Sequence, residues 1–300
     1  MNKYLAFFLI FATAFVLLPY CSTVGVRREA RPAAATVTTA ENTGLTPAAE
    51  SENDKTVCRI CALSEYLTED ESIKAAAVAL RTKELYDKEN GVTTENDNFY
   101  GIKTPTAEDC ARIYDADRVE RIRRLVKEVE GVTVTYDGKP INAMIHMFSA
   151  GKTESVGDAE GNGIPYLKEV GSPWDKNAAG YITEQRFTVG DVKKILEKEL
   201  KATLSDNEGE WITRIKRTKA GAVIGAEAGG EQADGETLRR VFGLRSPNFS
   251  YRIKDGEFIF TVRGYGNLAG MSLFGANEMA KEGNTFEKIL AYYYTGTNID

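Results

Sequence analysis

An α+β domain, mainly antiparallel sheet with packed helices, is the fold class this sequence predicts. Three observations carry the prediction. Apolar residues recur at helical spacing in several segments, pairs of alternating runs turn on Asp-Gly, and the two kinds of segment alternate irregularly rather than as repeating β-α units. The 300 residues are 42% apolar and 10% aromatic, enough for a sizeable core.

The chain opens with MNKYLAFFLIFATAFVLLPYC, where Lys3 precedes an apolar run from Tyr4 to Leu18. A membrane span needs about 17–25 residues, so this run spans only if Pro19, Tyr20 and Cys21 sit in the interface. A cleaved signal peptide is the rival reading. No small-x-small cleavage site follows, which favours an uncleaved anchor over residues 1–21. Residues 22–54 are rich in Ala, Thr, Glu, Pro and Ser and read as a disordered tether. A single globular domain is then expected over 55–300, outside the cytoplasm. The net charge of -6 argues against a nucleic-acid reader, which shows a basic face, and suits a neutral or cationic partner better.

Within the domain, TVCRICALSEYL reads as a strand entering a turn. Thr68 and Glu71 fit a capping box for the helix ESIKAAAVALRTKELY, with Ile73, Ala76, Ala77 and Leu80 on its apolar face. Its consecutive alanines make that face thin, so a close partner, expected to be a sheet, must pack on it. A second helix is expected from Thr106, with Ile113, Val119, Ile122, Val126 and Val129 as its stripe and Gly131 just past its end. Hairpins are expected at Asp137-Gly138 and Asp255-Gly256. Helices follow at Val189–Leu200, capped by Thr188, at GETLRRVFGL, and at the C-terminal NTFEKILAYYYTG. The run Tyr292 to Tyr294 reads as packing for this last helix.

Four cysteines are present. Cys58-x-x-Cys61 and Cys110 fall short of the roughly four ligands that zinc takes, and a strand would point Cys58 and Cys61 to opposite faces. Buried thiols, or a disulfide between Cys110 and one of the pair, are the readings left open. No metal and no cofactor is expected. Gly264-x-Gly266 lacks the βαβ context of a nucleotide loop.

The one histidine, His146, ends an apolar segment, and seven small or polar residues, Ser149 to Ser155, follow it. A core histidine is the plain reading, and the wall of a polar cleft is the functional one.

Four stretches together resemble the stage II sporulation protein D family, which includes amidase-enhancer domains of cell-wall hydrolases. They are SEYLTEDESIKAAAVALRT, HMFSAGKTES with PYLKEVGSPWD, LRRVFGLRSPNFS, and RGYGNLAGMSLFGANEMAKEGNTFEKILAYYYTGT. The resemblance implies a lytic transglycosylase that cuts peptidoglycan glycan strands to 1,6-anhydro ends during forespore engulfment. It implies partners in a cell-wall amidase and membrane proteins of the engulfment complex. The family's acidic residue falls on Glu65 in Ser64-Glu65-Tyr66. Substrate contacts fall on His146, Ser149, Gly151, Lys152, Thr153, Glu154, Tyr265 and Asn267. The chain departs from the pattern with Asn267 for histidine, Leu273 for glutamine and Tyr66 for methionine, and the cysteine–histidine set that binds zinc in some members is mostly missing, since only Cys110 lies in that region. Asn267 and Leu273 motivate a second reading, a non-catalytic peptidoglycan-binding module that stimulates an amidase; a third is a structural ectodomain of a membrane complex.

The chemistry implied for Glu65 is general acid catalysis. A glutamate keeps its proton near neutral pH only where burial penalises the charged form, and Glu65 lies between apolar Ile60, Ala62 and Leu63 and an aromatic. Two-carboxylate hydrolases need a second acid. A transglycosylase does not, because the sugar's own 6-hydroxyl attacks C1, so a single glutamate fits it better.

Overall fold

The computed structural model describes residues 51–92, 98–99, 102–157 and 163–300. The expected anchor and most of the expected tether lie outside them. Among the described residues no helix is long and apolar enough to cross a membrane.

The described chain begins with helix α1 (Glu52–Ala62), which starts inside the last residues assigned to the tether and replaces the strand expected from TVCRICALSEYL. β-branched residues there suggested a strand, but local signals favour the helix. Ser51 caps it by accepting from the Asp54 amide, and Glu52 and Asp54 place negative charge in its first turn. Val57, Ile60 and Cys61 then fall on one buried face. As a helix, α1 also puts Cys58 and Cys61 on the same side, opposite to the strand expectation.

Helix α2 (Asp70–Glu89) carries the alanine run, and Ala75 to Ala79 have no exposed surface. Small side chains let neighbours approach, but those neighbours are mainly helices: α4 (Ala116–Glu128), α7 (Leu273–Lys281) and α8 (Phe286–Tyr293), with the hairpin β3 (Val134–Tyr136) and β4 (Lys139–Pro140) at one end. The expected capping box does not form. Residue Glu69 takes the cap position with no side-chain bond to the helix. Instead Asn277, reaching across from α7, accepts from the Thr68 amide (2.7 Å), the Glu69 amide (3.0 Å) and the Ser72 hydroxyl (2.9 Å). A remote buried amide thus caps α2. Replacing it, Asn277→Ala, strands these donors and is expected to cost about 2 kcal/mol, read as a lower midpoint in urea unfolding with an unchanged slope.

The expected second helix is two, α3 (Ala107–Ile113), capped by Thr106, and α4, capped by Asp115. Tyr114 breaks them by adopting extended backbone, and Ile113 is left exposed. Both Asp-Gly hairpins form with positive φ at both turn residues, 50° and 73° at Asp137-Gly138 and 52° and 77° at Asp255-Gly256, the geometry that matches strand twist. Between α2 and α3 a short hairpin pairs β1 (Asn98–Phe99) with β2 (Ile102–Lys103).

Two hydrophobic cores result. One joins α1, α2, α4, α7 and α8 with residues 134–181. The other is built on two antiparallel sheets. In the first, β11 (Glu257–Arg263) is flanked by β10 (Phe249–Lys254) and β6 (Ile182–Thr188). The second runs β7 (Ile212–Arg217), β8 (Val223–Ala228), β9 (Glu231–Ala233). Helix α5 (Val189–Glu199), capped by Thr188 as expected, and α6 (Gly235–Val241) complete it. Among the described residues the sheets are antiparallel apart from a parallel pairing of β5 (Ile145–His146) with β12 (Met271–Ser272), which aligns His146 with Ser272. The strand β13 (Asn298–Ile299) closes the chain onto β3. Of the tyrosine run, Tyr293 and Tyr294 are buried in the first core, while Tyr292 reaches Trp174 at the surface.

Candidate functional site

The glycine-rich loop 264–270 leaves the second core at Arg263 and enters the first at Met271. It lies directly on the backbone of residues 144–148, and two glycines make that approach fit. A Cβ at Gly270 would stand 1.9 Å from the Met144 carbonyl, and one at Gly266 2.8 Å from the His146 Cβ; both have positive φ, 73° and 107°. Backbone bonds fix the contact: the Met147 amide donates to the Tyr265 carbonyl (3.1 Å) and the Tyr265 amide to that of Phe148 (2.8 Å).

His146 lies beneath this loop, fully buried. Its Nδ1 donates to the Ala269 carbonyl at 3.0 Å, so the neutral ring carries its proton there. Its Nε2 has no partner among the described residues. Burial lowers its pKa to about 4, only partly offset by the bond to Ala269. The plain reading of a core histidine therefore describes its position, and the expectation of an imidazole in a cleft wall is corrected.

The same correction applies to most of the polar loop. Ser149, Gly151, Thr153 and Glu154 are buried, with most of their hydrogen-bonding groups paired inside the protein and Glu154 Oε2 left without a partner among the described residues. The Ser149 amide donates to the buried carboxylate of Asp175 (2.7 Å) and the Gly151 amide to the Ser149 hydroxyl (3.1 Å). The Thr153 hydroxyl donates to the Lys168 carbonyl (3.0 Å) and accepts from the Val170 amide (2.9 Å). Glu154 ties the glycine-rich loop to the residue preceding β8: its amide donates to the Leu268 carbonyl (2.7 Å), and its Oε1 accepts from the Ala222 amide (3.1 Å). Burial raises its pKa, as it does that of Asp175. Lys152 is exposed and pairs with Glu169 at 2.9 Å. Asn267 is half-buried and accepts from the Ala269 amide (3.0 Å), bracing the loop.

What faces outward is a different set. Glu65 sits in the turn after α1 and is exposed, so the apolar pocket expected around it does not form. Its turn is held by Arg118, whose Nη2 donates to the Ser64 carbonyl at 2.7 Å. The adjacent Tyr66 ring lies 6.2 Å from that of Phe148, which is fully buried and lies 6.0 Å from the half-buried ring of Tyr265. The Arg245 guanidinium stands over Tyr265 at 4.2 Å and over Phe148 at 5.5 Å. Tyr66 has a raised pKa, first from burial and then from the charge of Glu65 and the nearness of Tyr265, with Arg245 opposing. Glu65 therefore stands beside two partly exposed tyrosine rings that pack on buried Phe148, with the Arg245 guanidinium over Tyr265. The structure brings Glu65 and Tyr265 to one surface and places His146, Ser149, Gly151, Thr153 and Glu154 beneath it as supports.

Sequence reasoning missed Arg245, Asp175 and the structural role of Tyr66. They lie in stretches that carry the resemblance, LRSPNFS, PYLKEVGSPWD and SEY, but nothing local there gives their contacts. No group of carboxylates, thiols and imidazoles among the described residues is arranged to hold a metal ion.

Fold and site together define an α+β protein with a carboxylate-and-aromatic surface braced by a buried polar loop. No family model matches the chain. Among curated proteins it is 34% identical over 184 residues to a stage II sporulation protein D from Bacillus amyloliquefaciens, covering 61% of this chain and 52% of that protein. It is 31% identical over 240 residues to a stage II sporulation protein D from Bacillus subtilis, covering 76% of this chain and 68% of that protein. A more distant relative, named amidase enhancer, from Bacillus subtilis, is 21% identical over 225 residues, covering 59% of this chain and 32% of that protein. The match thus spans about half the length of one sporulation relative and two thirds of the other. The chain belongs to the stage II sporulation protein D family.

Proposed function

We propose that this protein is a membrane-anchored lytic transglycosylase acting on peptidoglycan glycan strands during sporulation, with Glu65 as general acid and base. The observation that carries the reading is the exposed position of Glu65 beside the half-buried rings of Tyr66 and Tyr265. Sugar rings present apolar faces that stack on aromatics, and a strand laid there covers the carboxyl. Removing a carboxylic acid from water favours its neutral form. Glu65 then gives its proton to the glycosidic oxygen as the C1–O bond breaks. The resulting carboxylate takes the proton of the 6-hydroxyl as that oxygen bonds to C1. The product is a 1,6-anhydro end, no water is consumed, and the carboxyl is restored. The buried histidine and polar loop hold in place the glycine-rich loop that carries Tyr265.

The anchor at 1–21 would hold the domain on the extracytoplasmic side, where a cell-wall amidase and membrane proteins of the engulfment complex are its expected partners. A second reading, a binding module that stimulates an amidase without chemistry of its own, is favoured by the exposure of Glu65 and the likeness to an amidase enhancer. Incubating the full chain with glycan strands freed of stem peptides and searching the products for anhydro ends by mass spectrometry separates the two. Anhydro ends support the enzyme. Binding without them supports the module.

Arg245→Ala removes the cation above Tyr265, an internal contact, and is expected to cost about 1 kcal/mol of stability, read as a lower midpoint in urea unfolding. An unchanged midpoint would mean that the contact holds nothing in place.

A further inference from the structure

Three cysteines outside the proposed site meet where α1 packs on α3. Cys58 and Cys61 lie three apart on α1, hence on one face, and Cys110 comes from α3. All three are buried, at 2%, 0% and 2% exposure. The Cys110 thiol hydrogen-bonds to Cys61 and to Cys58. A groove of about 410 Å³ runs alongside, lined by Cys58, Cys110, Asp54, Asp117 and Arg123 among others.

We propose that Cys61 and Cys110 form a disulfide while the chain folds outside the cytoplasm, stapling the helix that leads into Glu65 to the helix at 107–113. The two sulfurs are neighbours from separate elements, so a bond between them closes a long loop and removes many unfolded conformations. Cys58 lies on the same helix as Cys61, and a bridge inside one helical turn would restrain little. Burial holds the Cys61 and Cys110 thiols in the protonated form. A buried protonated thiol is a poor nucleophile, so the bond belongs to the folding chain, as the helices come together and before the thiols are fully buried. In balance, the two thiols lose two protons and two electrons to a disulfide-class oxidant, which leaves as two thiols. Cys58 remains reduced beside the new bond. The inference rests on the extracytoplasmic placement in the proposed function, not on the transglycosylase reaction.

The chain allows a clean test, because trypsin cuts after Arg59 and Lys103 and so puts each of these cysteines in its own peptide: 56–59, 60–74 and 104–112. The full chain is unfolded, reduced, and refolded with cystine as oxidant. Remaining thiols are alkylated in denaturant, and non-reducing digests are read by mass spectrometry. Expected is peptide 60–74 joined to 104–112 with Cys58 alkylated, and a melting midpoint about 5–10 °C above that of protein refolded in reductant. Cys58→Ser should keep the linkage and Cys110→Ser should abolish it. Protein folded in reductant first should resist the same dose of cystine. Full alkylation of all three after oxidative refolding overturns the proposal, as does a linkage of 104–112 to 56–59 alone. A zinc ion retained by all three thiols in native mass spectrometry would overturn it too. The digest needs no glycan and no activity, so a failed linkage and a failed enzymatic reading are separable.

Discussion

Glu65→Gln is expected to lower the formation of 1,6-anhydro ends by about 10²–10⁴-fold while leaving the fold and glycan binding intact, the range that a positioned general acid contributes. The substitution is nearly isosteric and changes one exposed side chain, so stability should stay within about 0.5 kcal/mol. Glutamine has no proton to give the leaving oxygen and cannot recover one from the 6-hydroxyl, so both halves of the reaction fail together. The check is single-turnover product yield by mass spectrometry, alongside a binding isotherm for the same glycan. Loss of product with retained binding is the signature of a catalytic group. Retained product from a folded variant would move the chemistry away from position 65. The wild-type rate should also depend on glycan length, because a short oligosaccharide that leaves Glu65 in water lacks the covering surface the mechanism needs.

Legibility in the sequence followed how local the determining interaction is. Asp137-Gly138 and Asp255-Gly256 specify their turns through their own backbone preferences, and both hairpins were readable. Thr188 before Val189 was readable for the same reason. Residues 56–62 were misread because β-branched and sulfur side chains outweighed a cap lying just upstream, at Ser51, in a stretch assigned to the tether. The alanine run showed that something packs closely, but not what, since helix and strand partners make the same demand for small side chains. The strands at 182–188 and 212–228 were not read at all. Their exposed faces carry charged residues, such as Glu184, Arg186 and Lys216, that weaken the apolar alternation. At the site, spacing and resemblance selected the right neighbourhood. Only three-dimensional contact showed that the polar loop spends its hydrogen bonds on Asp175, Val170 and Leu268 rather than holding them open for a ligand. Arg245 illustrates the remaining limit: nothing local in LRSPNFS says that its guanidinium reaches a tyrosine twenty residues further along the chain.

The buried imidazole makes the second large prediction, a dependence of stability on pH. Folding lowers the pKa of His146 from an ordinary 6.5 to about 4. The unfolded chain thus takes up a proton in a range where the folded chain resists it. Stability from this group is fully present above about pH 6.5 and is lost as pH falls toward 4. By linkage the loss is about 3 kcal/mol, since each pKa unit is worth about 1.4 kcal/mol. Glu154 and Asp175 act in the opposite sense. Burial raises their pKa values, so their contributions are present at low pH and lost as pH rises through the raised values. The raw stability curve therefore mixes signs, and the histidine must be isolated. His146→Gln does this: its stability gap to the wild type should shrink by about 3 kcal/mol between pH 7 and pH 4, measured by urea unfolding. The chain holds one histidine, so its ring proton resonance is unambiguous and serves as a readout that needs no variant. Its titration midpoint in the folded protein should lie near 4. A midpoint between 6 and 7 would mean that the ring reaches water, and that the glycine-rich loop resting on it opens in solution. In that case the imidazole would regain the place in the cleft that its burial here denies it.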